Sequence, residues 1–388
     1  MGKGCPGDDG EVSFGESGFW VAVGQAGSKH LINLFKYDKA PLYPNDVVQF
    51  PAEKELGMIK TTVIGSYPVP DWLTALPSEQ ALIDATRVVF SIQEKAGIDV
   101  VADGELYRFD VNYPDTNGMI EYFIRPLENV RTTIGRKDME EFSSDPGMKF
   151  RAKPSGVVEG PVGEGTLDLV SDCQRARRLT NAKMKFTLTG PHMLSKTLLD
   201  HYYKDRPALC NALADVLASQ VALLDADVVQ VDEANLPGHP EEAPWALAAI
   251  NRVLDAVKTT PAVHLCFGNY GGQTIQKGSW KHLIDYISGL HADHVLLETA
   301  HRGGWELEAL ARIDRRIGIG LGVVDIKTNV VETPEDIARR IEEAAKVLGE
   351  GRITYVNPDC GFWMLKRSVA DRKIEALVKG RDLFEGQN

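Results

Sequence analysis

Long hydrophobic runs and clustered basic residues are both missing from this sequence of 388 residues. No stretch approaches the roughly 20 apolar residues of a membrane-spanning helix, and the first residues lack the charged-then-apolar order of a secretion signal. The formal net charge is -12, so the chain offers no evident basic surface for nucleic acid or an anionic membrane. These absences favour a small-molecule substrate and a cytoplasmic location, and they leave oligomerisation open.

Cysteine is also scarce. The five cysteines are scattered along the chain: Cys5, Cys173, Cys210, Cys266 and Cys360. An odd and dispersed set is not typical of a disulfide framework. Free cysteine usually behaves as a small buried hydrophobe, and we predict that role for Cys173 and Cys210. Metal ligation is the alternative role, and it requires other donors nearby.

Neither an internal repeat nor a low-complexity tract is evident, and short apolar runs alternate with longer amphipathic segments from residue 61 onward. Eight runs have the length, the Val and Ile content and the flanking residues of strands: TTVIG, DVVADGE, KFTLTGP, VVQVDE, AVHLC, HVLLE, IGIGLG and ITYVNPDC. Helices are predicted between them, including one over 196–224 and one that begins after Thr333 as N-cap with Pro334 in its first turn. Eight strand–helix units predict an α/β fold, the (β/α)8 TIM barrel.

Two regions fall outside this alternation. Residues 1–55 are rich in Gly, Pro and isolated aromatics without a period, and we predict an N-terminal arm there. Residues 113–180, between the second and third predicted strands, are too long for a tight connection and predict an inserted excursion with a hairpin. The catalytic barrel is predicted over 56–388, and an excursion at its C-terminal face would shape the substrate opening.

The stretch HLCFGNYGG brings two soft donors together at the end of a predicted strand. His264 and Cys266 are two positions apart, so their side chains point to the same side of a strand. Glu298 ends the sixth predicted strand and Cys360 the eighth, and C-terminal strand ends of a barrel meet at one face. Two thiolates, an imidazole and a carboxylate suit Zn²⁺ better than Ca²⁺ or Mg²⁺. We predict a zinc site from these four residues, although each alone could be structural.

Other polar residues end strands at the same face. Ser66 follows the first strand, Glu105 ends the second, and Asp232 ends the fourth, where it could instead cap the next helix. His301 and Arg302 follow Glu298 and could support its position, or simply be solvated. The face therefore combines a candidate metal site with candidate substrate-binding groups.

This sequence resembles the catalytic domain of cobalamin-independent methionine synthase, in a wider group that includes epoxyalkane:coenzyme M transferase. The likeness runs from about Ile59 to Phe384 and is carried by an ordered set of motifs: TTVIGSYP, DGELYR, MIEYF, TLTGP, QVDEANL, HLCFGNY, LLE, GLGVVDIKT and VNPDCG. The resemblance implies zinc ligation by four residues: His264, Cys266, Glu298 and Cys360. It also implies that three positions hold the carboxylate and amine ends of homocysteine: Ser66, Glu105 and Asp232.

The implied site is suited to activating a thiol. Zinc with two thiolates, a neutral imidazole and a carboxylate carries net negative charge and is a poor Lewis acid for a carbonyl. A thiol that replaces Glu298 would lose its proton at neutral pH, where a free thiol with a pKa of about 8.5 is mostly protonated. Its electron-rich sulfur would then attack an alkyl carbon held in line. We therefore predict zinc-dependent alkyl transfer, with methyl transfer to homocysteine as the leading case.

Departures from the methionine synthase pattern concern the alkyl donor. The duplicated N-terminal half of that enzyme is missing, and Thr197 stands, by counting, where the family has a tryptophan for the pterin. Asp103 replaces a usual histidine two residues before Glu105. These differences predict a donor other than polyglutamyl folate, such as methylcobalamin or a methyl-corrinoid protein.

Two alternative functions remain at this point. One is an epoxide-opening reaction of the coenzyme M type, whose sulfonate thiol needs cations that Arg108, Arg302 and Lys327 could supply. The other is a zinc-bound barrel without catalysis that acts as the partner of a corrinoid protein. An amino-acid thiol would instead need the carboxylates of Glu105 and Asp232.

Overall fold

The computed structural model describes residues 58–108, 117–144, 151–269, 274–302 and 304–387. The predicted arm over 1–55 lies outside the described residues. The strands are β1 (Lys60–Thr61), β2 (Val101–Ala102), β3 (Glu128–Arg131), β4 (Gly156–Gly163), β5 (Met184–Thr189), β6 (Leu198–Asp200), β7 (Val228–Glu233), β8 (Thr260–Leu265), β9 (His294–Leu297), β10 (Gly318–Val324) and β11 (Ile353–Pro358). The helices are α1 (Asp71–Ala75), α2 (Glu79–Ala96), α3 (Glu121–Ile124), α4 (Arg136–Ser143), α5 (Leu169–Arg177), α6 (Pro191–Thr197), α7 (Arg206–Val221), α8 (Ala243–Asp255), α9 (Ile284–Gly289), α10 (Leu307–Leu310), α11 (Pro334–Leu348) and α12 (Arg367–Phe384).

Eight strands form one curled sheet in the order β1, β11, β10, β9, β8, β7, β5, β2. All neighbouring pairs are parallel. An isolated parallel bridge between Thr62 and Val100 connects the segments that follow β1 and precede β2, the two ends of this order. The sheet thus has the TIM-barrel-like arrangement that the alternating pattern predicts, and the predicted fold class is confirmed.

The first two barrel strands are shorter than the sequence pattern predicts, because side chains replace part of their ladder. Gln93 on α2 donates to the carbonyl of Ala102 at 2.6 Å and accepts from its amide at 2.9 Å. Asp99 accepts from the amide of Thr61 at 2.7 Å. The backbone groups remain satisfied without a longer strand.

Local signals explain where the long helices begin and end. The Oγ of Ser78 accepts from the amide of Ala81 at 3.0 Å, and α2 ends at Gly97, whose φ of 89° is left-handed. At α11 the Oγ1 of Thr333 accepts from the amide of Asp336 at 3.2 Å. The predicted N-cap at Thr333 is confirmed.

The helix predicted over 196–224 is wrong at its start. There α6 ends at Thr197, the chain pairs as β6 with β4 in parallel, and α7 begins only at Arg206. Lys204 has a φ of 51°, which interrupts any helix before Pro207 in the first turn of α7. Pairing with a distant strand therefore overrides the local helical pattern.

In the described part of the chain, two strands from the region between β2 and β5 form a second, three-stranded sheet with β6. β3 and β4 are antiparallel, and β6 adds to β4. Cys173 on α5 and Cys210 on α7 are free and fully buried, as predicted for cysteines that act as hydrophobes. No helix in the described ranges is long and apolar enough to cross a membrane.

Candidate active site

A cavity of about 380 Å³ opens at the C-terminal ends of the barrel strands. Its walls include six of the seven predicted site residues: Ser66, Glu105, Asp232, His264, Cys266 and Cys360. They come from the ends of five strands that are far apart in sequence. Parallel strands of a barrel all end at the same face, which is why these residues meet.

His264, Cys266 and Cys360 form a group of potential metal donors. One ligand atom from each lies within 4.8 Å of the others, and the two sulfurs are 3.8 Å apart. Tetrahedral zinc with Zn–S bonds of about 2.3 Å places its two sulfurs about 3.8 Å apart. His264 Nδ1 donates to the carbonyl of Leu296 at 3.0 Å, while its buried Nε2 has no hydrogen-bond partner. This arrangement leaves Nε2 available as a ligand, so the donor set fits zinc.

The three donors also perturb one another's ionisation. The hydrogen bond from Cys266 holds the pKa of the Cys360 thiol well below its usual range. The same bond, together with burial, raises the pKa of Cys266. Burial would lower the pKa of His264, but the neighbouring Cys360 outweighs it and raises that pKa. The lowered pKa of Cys360 favours its thiolate, which is the form of cysteine that binds a metal.

Glu298 follows β9 and lies apart from this donor group. Its Oε1 is 2.6 Å from the Nζ of Lys327, and its Oε2 accepts from the amide of Phe267 at 2.9 Å. Both charged side chains are almost completely buried, at 0% exposure for Glu298 and 2% for Lys327. Glu298 is not among the residues that line the cavity. Its assignment as the fourth ligand stays a prediction.

Two glycines allow the polar groups near β1 to approach the cavity. A Cβ at Gly65 would lie 2.1 Å from the Oε1 of Glu105, and one at Gly361 would lie 2.0 Å from the Oγ of Ser66. Glu105 itself has a left-handed φ of 59°, which is unusual for a non-glycine residue and common at functional sites. Its Oε1 accepts from the hydroxyl of Thr187 at 2.5 Å. The Glu105 carboxylate is thus held in one place.

Asp232 lies at the end of β7 above a polar chain inside the barrel. Its Oδ1 accepts from Gln230 Nε2 at 2.7 Å, and Gln230 Oε1 accepts from the Nζ of Lys185 at 2.7 Å. Burial raises the pKa of Asp232 to about 7 and lowers that of Lys185 to about 7. Asp232 is therefore close to its ionisation midpoint at neutral pH, and a cation in the cavity would favour its charged form.

The residues predicted to support Glu298 make contacts of their own. His301 Nδ1 is 3.0 Å from an Asp325 oxygen, and Arg302 lies 3.6 Å from the centre of the Phe267 ring.

The sequence analysis missed Asp359, whose carboxylate accepts from the amides of Thr299, Ala300 and His301 at 2.9, 2.8 and 2.7 Å. Asp359 thereby ties the loop after Glu298 to Cys360. The sequence feature that could have identified Asp359 is its position directly before Cys360.

The cations expected to hold a sulfonate do not line the cavity. Arg108 and Lys327 are instead paired with Glu105 and Glu298, at 3.4 and 2.6 Å. Two other basic residues of the described chain, Arg151 and Lys153, do line it, and Arg151 forms an ion pair with Glu121. Arg302 donates to the carbonyl of Gly278 at 2.7 Å.

Thr197 also lies away from the cavity. It is fully buried, and its Oγ1 is 2.8 Å from Ser155 Oγ. The residue of α6 that lines the cavity is Met193. The aromatic residue among the described lining residues is Trp363, which is 43% exposed and which sequence analysis missed. It follows Cys360 by three positions, so the VNPDCG motif pointed to its neighbourhood.

The fold and the cavity define a TIM-barrel protein that can bind a small substrate at its C-terminal strand ends. The chain belongs to the family described as cobalamin-independent synthase, catalytic domain, whose model matches residues 59–381. The resemblance of the motifs is thus confirmed at the level of the family.

Several proteins similar to this chain are named methionine synthase. That of Thermococcus kodakarensis is 30% identical over 346 residues, which cover 85% of this chain and 94% of that protein. That of Sulfurisphaera tokodaii is 29% identical over 342 residues, or 84% and 92%. The solved B12-independent methionine synthase from Shewanella sp. W3-18-1, in complex with selenomethionine, is 26% identical with a TM-score of 0.72, covering 85% and 98%. The matched region makes up 94%, 92% and 98% of these three proteins, so they have no room for a duplicated half beyond it.

Proposed function

We propose that this protein transfers a methyl group to the thiol of homocysteine and forms methionine. The observation that carries the proposal is the joint placement of a His–Cys–Cys donor group and two carboxylates in one cavity. The proposed zinc ligands are His264, Cys266 and Cys360, with Glu298 as the ligand that the thiol displaces. When bound there, zinc would lower the pKa of the substrate thiol and hold its sulfur as a nucleophile.

Other groups in the same cavity wall would hold the amino-acid end of the substrate. Asp232 and Glu105 offer carboxylates for the ammonium, and Ser66 offers a hydroxyl for the carboxylate. The rigid placement of Glu105 would fix the distance between the ammonium and the sulfur, which is what orientation requires. This arrangement favours an amino-acid thiol over a sulfonate thiol, because two of the three cations expected for the sulfonate are used in ion pairs with Glu105 and Glu298.

The proposed donor is methylcobalamin or a methyl-corrinoid protein, not polyglutamyl folate. In this transfer the sulfur forms a bond to the methyl carbon, the carbon–cobalt bond breaks, and its electron pair stays on cobalt. The thiol proton leaves to solvent. Two features of the cavity wall support this proposal. The lining residue that α6 contributes is Met193, which is not aromatic, and Trp363 is partly exposed in the same wall. A corrinoid could approach from solvent without entering a pterin pocket.

Product formation tests the thiol and the donor together. We expect methionine from homocysteine with methylcobalamin, little product with methyltetrahydrofolate polyglutamate, and little alkylation of coenzyme M. Efficient turnover with the folate donor would contradict the proposed donor. Coenzyme M addition to a small epoxide, with homocysteine inert, would establish the epoxide-opening alternative. Zinc binding without product from any pair would favour a non-catalytic partner of a corrinoid protein.

A pH profile of product binding tests Asp232. Its pKa of about 7 means that the carboxylate is mostly protonated at low pH. Because the ammonium of methionine binds the ionised form, methionine affinity should rise about tenfold between about pH 6 and about pH 8. Methionine is suitable because its thioether has no proton to lose. Calorimetry should give a flat profile for Asp232→Asn, and a flat profile for the unchanged protein would contradict this role.

We also propose a cytoplasmic location for the protein. The two cavity thiols lie 3.8 Å apart and are free. A reducing compartment would keep both available as thiolates, whereas an oxidising one would favour their cross-linking.

A further inference from the structure

The ion pair between Lys327 and Glu298 is buried next to the proposed metal ligands. Lys327 Nζ approaches Oε1 at 2.6 Å, and the amide of Phe267 donates to Oε2 at 2.9 Å. Phe267 directly follows Cys266, so one carboxylate contact comes from the neighbour of a proposed ligand. Both oxygens of Glu298 are thus engaged by the chain itself, away from the group of His264, Cys266 and Cys360.

The position of Lys327 is determined by the loop after β10. Its amide donates to Asp325 Oδ1 at 2.8 Å, and the amide of Asp325 donates to Glu332 at 2.8 Å. Lys373 donates to the carbonyl of Asp325 at 2.9 Å. These bonds hold the loop in one conformation, and that conformation positions the ammonium of Lys327 next to the Glu298 carboxylate.

Charge balance explains why a cation is needed there. Two thiolates and a neutral imidazole cancel the charge of Zn²⁺, and a bound thiolate makes the centre negative. A Glu298 carboxylate displaced from that centre would then be a second buried negative charge. An unpaired buried charge is strongly unfavourable, and a paired one with satisfied hydrogen bonds is not. Lys327 provides the pairing charge and the Phe267 amide provides the second hydrogen bond.

We propose that Lys327 is the positioning residue that receives the Glu298 carboxylate when a thiol takes the fourth place on the metal. This inference rests on the proposed function and adds a residue to it. In that displaced position the Glu298 carboxylate would keep the contacts with Lys327 and the Phe267 amide that the structure shows. By stabilising that position, Lys327 favours thiol binding over carboxylate ligation without contacting the substrate.

The test compares zinc-loaded Lys327→Met with the unchanged protein. Without its partner, Glu298 should stay on the metal and compete with the thiol. Homocysteine affinity measured by calorimetry should fall roughly tenfold to a hundredfold. Zinc-edge X-ray absorption should show an oxygen ligand that persists at homocysteine concentrations where the unchanged protein has gained a third sulfur. Release of zinc to a chelator should become slower.

Companion variants separate this role from a loss of structure. In Lys327→Met/Glu298→Gln the competing carboxylate is gone, so thiol affinity should return close to that of Glu298→Gln alone. Lys327→Arg should retain most of the affinity. Lys196→Met breaks a partly buried ion pair, with Glu242 at 2.8 Å, and should leave zinc coordination unchanged.

The outcomes distinguish the two proposals. Unchanged thiol affinity and coordination in Lys327→Met, with normal binding by the unchanged protein, would overturn the role of Lys327 alone. Weak binding that persists in the double variant would do the same, because it would not depend on Glu298. Absence of homocysteine binding by the unchanged zinc-loaded protein would overturn the proposed function together with this inference.

Discussion

Replacement of Cys266 or Cys360 by serine should lower the zinc content from about one ion per chain to nearly none. The two sulfurs lie 3.8 Å apart, the separation that tetrahedral zinc requires, and His264 presents an unpartnered Nε2 beside them. A serine hydroxyl is a poor ligand because it does not ionise at neutral pH and is harder than a thiolate. Methyl transfer should be lost with the metal. Metal analysis of the purified variants gives the result directly.

A matched control for these variants is Cys173→Ser. Cys173 is also free and buried, but it lies on α5 and is not part of the donor group. It should keep its zinc even if the folded state is somewhat less stable. Full zinc retention in both Cys266→Ser and Cys360→Ser would show that the proposed ligand set is wrong.

Replacement of Asp232 by asparagine should weaken homocysteine binding about ten- to a hundredfold, while the zinc content stays unchanged. The expected loss corresponds to the roughly 1.5 to 3 kcal/mol of a charge-assisted hydrogen bond. The asparagine side chain has nearly the same shape as the native aspartate but carries no charge for the substrate ammonium. A thiol that lacks the amine should bind both proteins equally. Calorimetry with homocysteine and with such a thiol separates the two contributions.

The matched control is Asp227→Asn, the same substitution immediately before the other end of β7. Asp227 accepts from the amide of Met184 at 2.8 Å and pairs with Arg177 at 3.0 Å, far from the strand ends that form the cavity. It should leave homocysteine affinity unchanged. Equal weakening by both variants would mean that strand β7 had been disturbed, and normal affinity in Asp232→Asn would remove Asp232 from the proposed site.

Much of the fold could be predicted because local signals and the barrel pattern agree. The motifs VVQVDE and HVLLE coincide with β7 and β9 almost residue for residue. Short apolar runs bounded by acidic residues are typical of the buried strands of a parallel sheet. The helix cap at Thr333 could also be predicted from the sequence, because capping depends on residues close in sequence. Where distant groups intervene, prediction was less successful. β6 pairs with β4, and Gln93 replaces part of the ladder of β2.

The candidate site shows the same difference between features predicted from local sequence and contacts between distant residues. Residues at strand ends, such as His264 and Cys360, could be singled out because a barrel brings all such ends together. The partner of Glu298 could not be deduced, because Lys327 lies on another loop and the contact depends on side-chain directions. The same holds for Trp363, which follows a recognised motif but whose place in the cavity wall depends on how the chain turns after β11.

The sequence by itself thus determined the barrel, the face on which the polar residues collect and the chemical character of the donors. These follow from the period of the apolar residues and from the affinities of thiolate and imidazole for soft metals, which are local properties. Only the tertiary structure decided which donors converge. It brought the sulfurs of Cys266 and Cys360 to 3.8 Å and gave Glu298 a cationic partner. Such contacts join residues far apart in the chain, and their geometry depends on packing that no short segment encodes.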